Sequence, residues 1–324
     1  MFTKVKLNHL VITFVVLLAI VLITIPGGNA RKNRSFKQEL TRFDSSAVTS
    51  LEILPKSGNE LISLQKKDGN WLVSKGNASH NADNRQVSNM LTTLQELNAK
   101  RLAANDRERW DEFEVTDSLG SRVRVLKGDK TVADLYVGKF SYTQPSGQAA
   151  NPYMRQQRGT MTSFVRLEGE KEVYAVDGFL TMMFNRSVND FRDATVNRVQ
   201  KADIARIHVQ SPEETYTLVS RDSLWMLDGL VADSASAARY VAGISRLSSR
   251  NFLEEDHPLV SGTPTHSVVF ENSGGAQLSS VDLYVADSSR IAVTSTQNPG
   301  TVFDGAASGL FDKLIKPREY FLGE

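Results

Sequence analysis

Hydrophobic and polar residues alternate in two pairs of segments that lie in distant parts of the chain. The first pair is VTSLEIL at 48–54 and IARIHVQ at 204–210. The second pair is ELISLQ at 60–65 and TYTLVS at 215–220. A period of two places successive side chains on opposite faces of a strand, so each segment predicts a half-buried β-strand.

Each pair continues into a polar turn that is followed by a tryptophan. KKDGNWLV occupies 66–73, and SRDSLWML occupies 220–227. Asp-Gly between alternating segments is a strong signal for a two-residue hairpin turn. Trp71 and Trp225 are therefore expected to fill the core where each hairpin meets the helix that follows it. The alternative is that these two side chains stack on a ligand, such as the face of a sugar.

Apolar residues recur at intervals of three and four after each tryptophan segment. They are Val87, Met90, Leu91, Leu94 and Leu97 in the first half, and Tyr240, Val241, Ile244 and Leu247 in the second. This spacing predicts one amphipathic helix in each half. Asn81 or Asp83 is placed to cap the first helix, and Asp233 or Ser234 the second. The apolar face of each helix needs the apolar face of a sheet to cover it.

Two later landmarks also recur. ADLYVG at 133–138 corresponds to VDLYVA at 281–286, and VDGFLTMMF at 176–184 corresponds to FDGAASGLF at 303–311. The first half has about 21 more residues between its landmarks than the second. A long, unequal repeat indicates duplication of one unit, since the repeats of a solenoid have periods of about 20–50 residues.

The whole pattern predicts an α+β protein with an N-terminal transmembrane helix and two tandem homologous units, each an antiparallel sheet with helices packed on one face. We place the membrane anchor (or signal) and a basic linker at 1–38. The first unit then covers 39–199, and the second covers 200–324.

The extra residues of the first unit fall in the segment 139–164, which we expect to be a long insertion loop. Loops longer than about 12–15 residues are usually functional or disordered. The segment is rich in turn-forming residues and also carries Tyr142, Tyr153, Arg155 and Arg158. Tyr and Arg are enriched among the residues that dominate binding interfaces. These four are the candidate partner-binding residues, and a surface insertion without a binding role is the alternative.

The N-terminus carries 16 consecutive mostly apolar residues, LVITFVVLLAIVLITI at 10–25. This length lies between that of a signal-peptide core and that of a transmembrane helix. Gly28 and Ala30 resemble a signal-peptidase site, but basic residues follow at once at 31–34. We therefore expect an uncleaved single-pass anchor, with a removed signal as the alternative. The flanking positive charges are too evenly divided to set the orientation.

Composition removes several classes of function. The sequence has no cysteine, which excludes disulfides, thiolate metal sites and cysteine nucleophiles. Of the 38 Lys and Arg residues, six lie in 1–38, which holds no acid, so the rest of the chain has 32 basic against 37 acidic residues. A mildly acidic body argues against nucleic acid as a partner, because binding phosphates needs clustered positive charge.

No motif supports catalysis, a cofactor or a metal ion. The five histidines are not spaced as metal ligands, and no phosphate-binding or nucleophile motif is present. The run EEDH at 254–257 resembles a ligand set, but the following proline favours a solvated loop. A second acidic cluster at 111–117 favours a charged surface strand over a catalytic carboxylate pair. We therefore expect no catalytic, cofactor-binding or metal residues.

Several segments together make the chain resemble the domain-of-unknown-function family 4340. They are KDGNWLV, RWDEFEVTDSLGSRVRV at 109–125, ADLYVGKF at 133–140, FVRLEGEKEVYAVDGFL at 164–180 and NDFRD at 189–193. Members accompany gliding-motility-like ABC transporter components in Bacteroidetes-type bacteria. The resemblance implies a protein tethered in the cytoplasmic (inner) membrane, with its body facing the periplasm. It also implies the ABC transporter permease and associated envelope subunits as partners, and it carries over no catalytic residue.

The expected function is thus that of a non-enzymatic, membrane-anchored extracytoplasmic auxiliary subunit of an ABC-type transport or gliding-motility-like complex. The alternative from another class is an envelope module that binds a glycan or a peptidoglycan fragment. An enzyme is the third hypothesis.

Overall fold

The chain folds into two tandem units made mostly of antiparallel sheet. The computed structural model describes residues 36–56, 58, 60–144, 159–222 and 224–323. The predicted membrane segment at 10–25 lies outside these residues. Within the described ranges, no helix is both long enough and apolar enough to cross a membrane.

The first unit contains a nine-stranded sheet in the order β4-β3-β2-β1-β6-β7-β8-β9-β5. Its strands are β1 Ser50–Leu54, β2 Ile62–Lys67, β3 Asn70–Lys75, β4 Ala78–Asn81, β5 Ala99–Ala104, β6 Ser121–Lys127, β7 Lys130–Thr143, β8 Thr160–Leu167 and β9 Val173–Asp177. All neighbouring strands in this sheet run antiparallel.

The second unit repeats this order in an eight-stranded sheet, β14-β13-β12-β11-β16-β17-β18-β19. The remaining strands of the chain are β10 Thr195–Arg198, β11 Arg206–Gln210, β12 Thr215–Arg221, β13 Leu224–Leu227, β14 Leu230–Val231, β15 Arg246–Ser248, β16 His266–Glu271, β17 Gln277–Asp287, β18 Arg290–Ser295 and β19 Phe303–Asp304. Strands β10 and β15 form a separate pair. The shared order over eight strands confirms the prediction of two tandem α+β units.

Strand register follows the alternation in the sequence. Leu51 and Ile53 of β1 are fully buried, and they stand opposite Leu64 and Ile62 of β2. The Asp68-Gly69 turn between β2 and β3 has positive φ at both residues, 52° and 86°. Such turns match the twist of the strands they connect, so the Asp-Gly sequence favours this hairpin and fixes its register.

One long helix covers a face of each sheet, as the apolar spacing predicts. The helices are α1 Asn84–Gln95, α2 Trp110–Phe113, α3 Leu180–Phe184, α4 Ser234–Ser245 and α5 Leu310–Leu314. Short 3-10 turns lie at Ser45–Ala47, Arg107–Arg109, Val188–Asp190, Lys201–Asp203, Pro258–Ser261 and Arg318–Phe321. The side chains of Asp83 and Asp233 cap α1 and α4 by accepting backbone N–H bonds. Of the alternative caps that the sequence left open, the aspartates are therefore the ones used.

The two tryptophans differ in burial although they occupy equivalent places. Trp71 is 5% exposed and belongs to the main core of the first unit, so its core assignment is confirmed. Trp225 is only partly buried and packs against the edge of the second core.

The prediction that helices pack on one face only is wrong for the first unit. Helix α2 packs on the opposite face of the sheet, where Phe113 joins Tyr136 and Phe164 in a second small core. The acidic segment at 111–117 is consequently not a surface strand: it begins in α2 and continues as a turn. A four-residue helix is too short for helical periodicity to reveal it.

The guanidinium of Arg166 helps hold α2 on that face. It is 3% exposed and lies between the rings of Trp110 and Tyr136, at 3.9 and 4.0 Å from their centroids. Its Nε donates to the Val115 carbonyl at 2.9 Å, and Nη2 pairs with Asp117 at 3.2 Å. Cation–π contacts of this kind strengthen when the cation is desolvated.

The insertion at 139–164 is not a loop throughout. Strands β7 and β8 extend into it, with Phe140 opposite Ser163 and Tyr142 opposite Met161. Antiparallel pairing satisfies the backbone groups of these residues, which a free loop would expose to water. The described parts of the insertion are thus a hairpin arm.

The expected boundary between 199 and 200 falls earlier in the structure. Strand β10 pairs with β15, and both Val196 and Val199 belong to the core of the second unit. The contacts that join the two units include His80 Nδ1 to Glu255 Oε1 at 2.6 Å, Asn81 Nδ2 to Asn298 Oδ1 at 3.1 Å, and the Arg192 guanidinium 3.9 Å from the centre of the Phe252 ring.

Candidate functional site

An open groove lies between α1 and α3 in the first unit. It has a volume of about 620 Å³ and is lined by Asp83, Arg85, Gln86, Asn89, Met90, Phe179, Met182, Met183 and Arg186. Its floor is apolar, and its rim carries two arginines. Grooves of this size with a few placed polar groups are the usual form of a binding site.

The lining residues follow from how the two helices begin. The Asp83 carboxylate accepts from the backbone N–H groups of Arg85 and Gln86 at 3.0 and 3.3 Å, so it is engaged in capping α1. Helix α3 begins three residues after Asp177, and this places Met182 and Met183 opposite α1. Met182 is 56% exposed, although methionine side chains are usually buried.

The hairpin arm extends the apolar surface of the groove. Phe140, Tyr142 and Met161 are 46%, 53% and 37% exposed. Cross-strand pairing places all three on the same face of the sheet as Ser163, whose hydroxyl accepts the N–H of Leu180 at the start of α3. We call this set, with the groove, the groove–arm surface.

A ring contact joins the arm to the groove. The rings of Phe140 and Phe179 lie edge to face, with centroids 5.3 Å apart. Phe179 also lines the groove. The exposed residues of the arm are therefore continuous with the groove floor, and contiguous apolar surface of this kind on a soluble domain usually marks an interaction site.

Positive charge exceeds negative charge at the rim of the groove. Arg85 and Arg186 lie at its edge, and the single carboxylate in its lining, Asp83, is 4.0 Å from Arg85 Nε and accepts backbone N–H bonds. Hydrogen bonds from Ser187 hold the pKa of Asp190, next to the rim, below its usual value. Apolar floor and cationic rim together suit a partner that presents apolar side chains beside carboxylates.

In its described residues the second unit does not have this surface, although α4 and α5 correspond to α1 and α3. The residues of α5 that correspond to Met182 and Met183 are Asp312 and Lys313. The turn between β17 and β18 is short, so there is no counterpart of the arm in the described second unit. A unit of this chain can therefore adopt the shared fold without the apolar groove.

Only one of the four candidate partner-binding residues can be placed. Tyr142 lies on the groove–arm surface, exposed, near the outer end of β7. Tyr153, Arg155 and Arg158 lie outside the described residues. The sequence pattern did not identify Phe179, Met182 and Met183 as binding residues. Met182 lies two residues after Leu180, so on a helix it points away from that buried side chain, but a methionine in this segment is equally consistent with a core position.

The acidic run at 254–257 lies at the contact between the two units. Among the described residues, no group of three His, Asp or Glu side chains could hold a metal ion. Glu255 pairs with His80 of the first unit, and His257 caps a 3-10 turn by accepting the N–H of Leu259. The run is therefore not simply a solvated loop, because it contributes to the contact between the units.

The fold is that of a duplicated α+β protein, and within the described residues the groove–arm surface occurs in the first unit only. The chain belongs to the family described as Domain of unknown function (DUF4340), which matches residues 71–148 and 155–263. The matched ranges include α1, the described strands of the arm, and the junction residues other than Asn298. No curated protein and no solved structure matches the chain.

Proposed function

We propose that this protein is a non-enzymatic, membrane-anchored extracytoplasmic auxiliary subunit of an ABC-type transport or gliding-motility-like complex. The observation that carries the proposal is the groove–arm surface, which exposes Phe140, Tyr142, Met161 and Met182 on one face of the first unit. Because the second unit has the same fold without this surface, the exposed apolar residues serve an external contact. The resemblance noted in the sequence supplies the class of partner.

In this proposal the partner is a periplasmic segment of the permease or of an associated envelope subunit. Its apolar side chains fill the groove floor, and its carboxylates face Arg85 and Arg186. The apolar segment at 10–25 anchors the body beside that partner. Anchoring raises the effective concentration of the groove near the complex, so a modest interface is sufficient.

The experiment is affinity purification of the full chain in mild detergent, with identification of the retained proteins by mass spectrometry. We expect permease and ATPase subunits to be retained by the wild type. Met182→Glu should reduce their recovery several-fold, because it puts a charge on the apolar groove floor. Leu119→Glu is the matched control, since Leu119 is 40% exposed but lies outside the groove–arm surface.

Two results would overturn the proposal. One is a wild-type protein that retains no transporter subunit and instead remains bound to cell-wall material, which favours the glycan-binding alternative. The other is equal recovery with Met182→Glu and Leu119→Glu. The buried position of Trp71 already weighs against that tryptophan as a sugar-stacking platform.

The membrane orientation is tested separately. Alkaline phosphatase fused after residue 324 should be active, and a reporter that works only in the cytoplasm should be silent. The reverse pattern would place the body in the cytoplasm and remove the periplasmic partner from consideration.

A further inference from the structure

The two units have equivalent sheet edges. In the first unit this edge is polar and contacts the second unit, whereas in the second unit it is apolar. Backbone hydrogen bonds establish the correspondence. The N–H of Ala82 donates to the carbonyl of Trp71, and the N–H of Ala232 donates to that of Trp225. Residues 80 and 81 of the first unit therefore correspond to residues 230 and 231 of the second.

A second pair of bonds extends the correspondence to the end of each unit. The N–H of Asp83 donates to the carbonyl of Phe191, and the N–H of Asp233 donates to that of Phe321. The residue after each phenylalanine is Arg192 in the first unit and Leu322 in the second. An ideal Cβ on Gly323 would lie 3.7 Å from the Cβ of Asp233, so this segment lies beside the start of α4.

The equivalent residues have opposite character. His80, Asn81 and Arg192 are polar, and they contact Glu255, Asn298 and Phe252 of the second unit. Their counterparts Leu230, Val231 and Leu322 are 60%, 60% and 47% exposed. We call these three residues the β14 edge. The place that is an interface in the first unit is thus, among the described residues, an exposed apolar surface in the second.

From this we infer that the β14 edge is a docking surface for a second copy of this chain, related by a two-fold axis. A head-to-tail arrangement would place the edge on the first unit of the next copy. There the loop equivalent to Asn298 lies between β8 and β9 and carries Glu168, Glu170 and Glu172, which do not suit leucine and valine. A two-fold arrangement places the apolar edge on itself, and closed two-fold dimers are the commonest homo-oligomers.

The size of the edge predicts a weak dimer. Three side chains are much less than the roughly 800 Å² per partner that a stable interface buries. Leu224 lies nearby on the outer face of β13 and is 44% exposed, so the contact can extend over it. Association is therefore expected to depend strongly on protein concentration.

Because the sequence has no cysteine, single cysteines test the geometry directly. Leu230→Cys and Val231→Cys are introduced separately into the full chain in mild detergent, and each protein is oxidised gently with copper phenanthroline. Leu61→Cys is the matched control, since Leu61 is 48% exposed and precedes β2 in the first unit. A disulfide forms only between residues whose Cα atoms approach within about 7 Å.

We expect at least one of the edge cysteines to give a disulfide-linked dimer with several times the yield of the control, rising with protein concentration. In the cysteine-free chain, Val231→Asp should lower the average mass measured by sedimentation while leaving the melting temperature unchanged. Equal cross-linking at Leu230→Cys, Val231→Cys and Leu61→Cys, together with a monomer at all concentrations, would overturn the inference. A fluorophore on Leu230→Cys that shifts to the blue on phospholipid vesicles while the protein stays monomeric would overturn it in favour of a lipid surface.

Discussion

Truncating the two equivalent tryptophans should destabilise the two units by different amounts. Trp71 is 5% exposed within the main core of the first unit. Trp71→Ala removes a buried aromatic side chain, which typically lowers the free energy of unfolding by about 3–5 kcal/mol. Trp225 is only partly buried, so less apolar area leaves water when it folds. Because the cost follows the area removed from water, Trp225→Ala should lower that free energy by about 1.5–3 kcal/mol.

Urea unfolding followed by far-UV circular dichroism measures both effects, with the change in midpoint multiplied by the slope m giving the change in free energy. The two cores are separate, so each substitution should act on the transition of its own unit. Trp71→Phe keeps a ring in place and should cost much less than Trp71→Ala. An unchanged midpoint for Trp71→Ala, or a larger effect from Trp225→Ala, would refute the assignment of Trp71 to the core.

Two further predictions concern backbone approach and pH. Gly138→Ala should destabilise the first unit by about 1–3 kcal/mol, because its Cβ would lie 2.1 Å from the carbonyl oxygen of Phe113. A Cβ at Gly243 would meet no atom within 4 Å, so Gly243→Ala should instead stabilise α4 by about 0.5–1 kcal/mol, and urea unfolding measures both changes. Burial lowers the pKa of His266, so the folded state favours the neutral ring. Stability is then full above the unfolded pKa of about 6.5 and falls as the pH drops below it, and His266→Gln should remove this loss if unfolding is measured from pH 7.5 to 5.

The strands and their register were predictable because each depends on local pattern. Alternation gave the buried faces of β1 and β11, and the turns before each tryptophan gave the hairpins. Pairing of Leu51 with Leu64 and of Ile207 with Leu218 follows directly from that alternation. A shift by one residue would turn every buried side chain to the solvent, so the pattern permits only one register.

The repeat alignment fails where the closing helices begin. Matching Asp177-Gly178 to Asp304-Gly305 is correct for the turns, but α3 begins three residues after its aspartate and α5 begins six residues after. The extra residues form a turn in which the Asp304 carboxylate accepts the N–H of Ala307 at 2.9 Å. An alignment that ignores these three extra residues does not place Asp312 and Lys313 opposite Met182 and Met183. The difference between the units at the groove therefore cannot be recognised from the sequence.

The junction between the units could not be predicted for a different reason. Two of its contacts join residues separated by more than 170 positions, namely His80 with Glu255 and Asn81 with Asn298. Strand β4 carries no apolar alternation that would mark it as a sheet edge. Local pattern determines which residues face a unit's own core, but it contains no information on which polar residues meet across units.

Duplication makes the surface differences between the units informative. Leu180 and Leu310 occupy equivalent core positions, and both are buried at the start of their helices. Two residues after these leucines, at an exposed position, the first unit has Met182 and the second has Asp312. Packing of the core does not explain that difference. The first unit has its apolar residues at the groove and polar residues at its edge, whereas the second has the reverse. Because the two surfaces lie on different units, Met182→Glu should weaken partner recovery without changing self-association, and Val231→Asp should do the opposite.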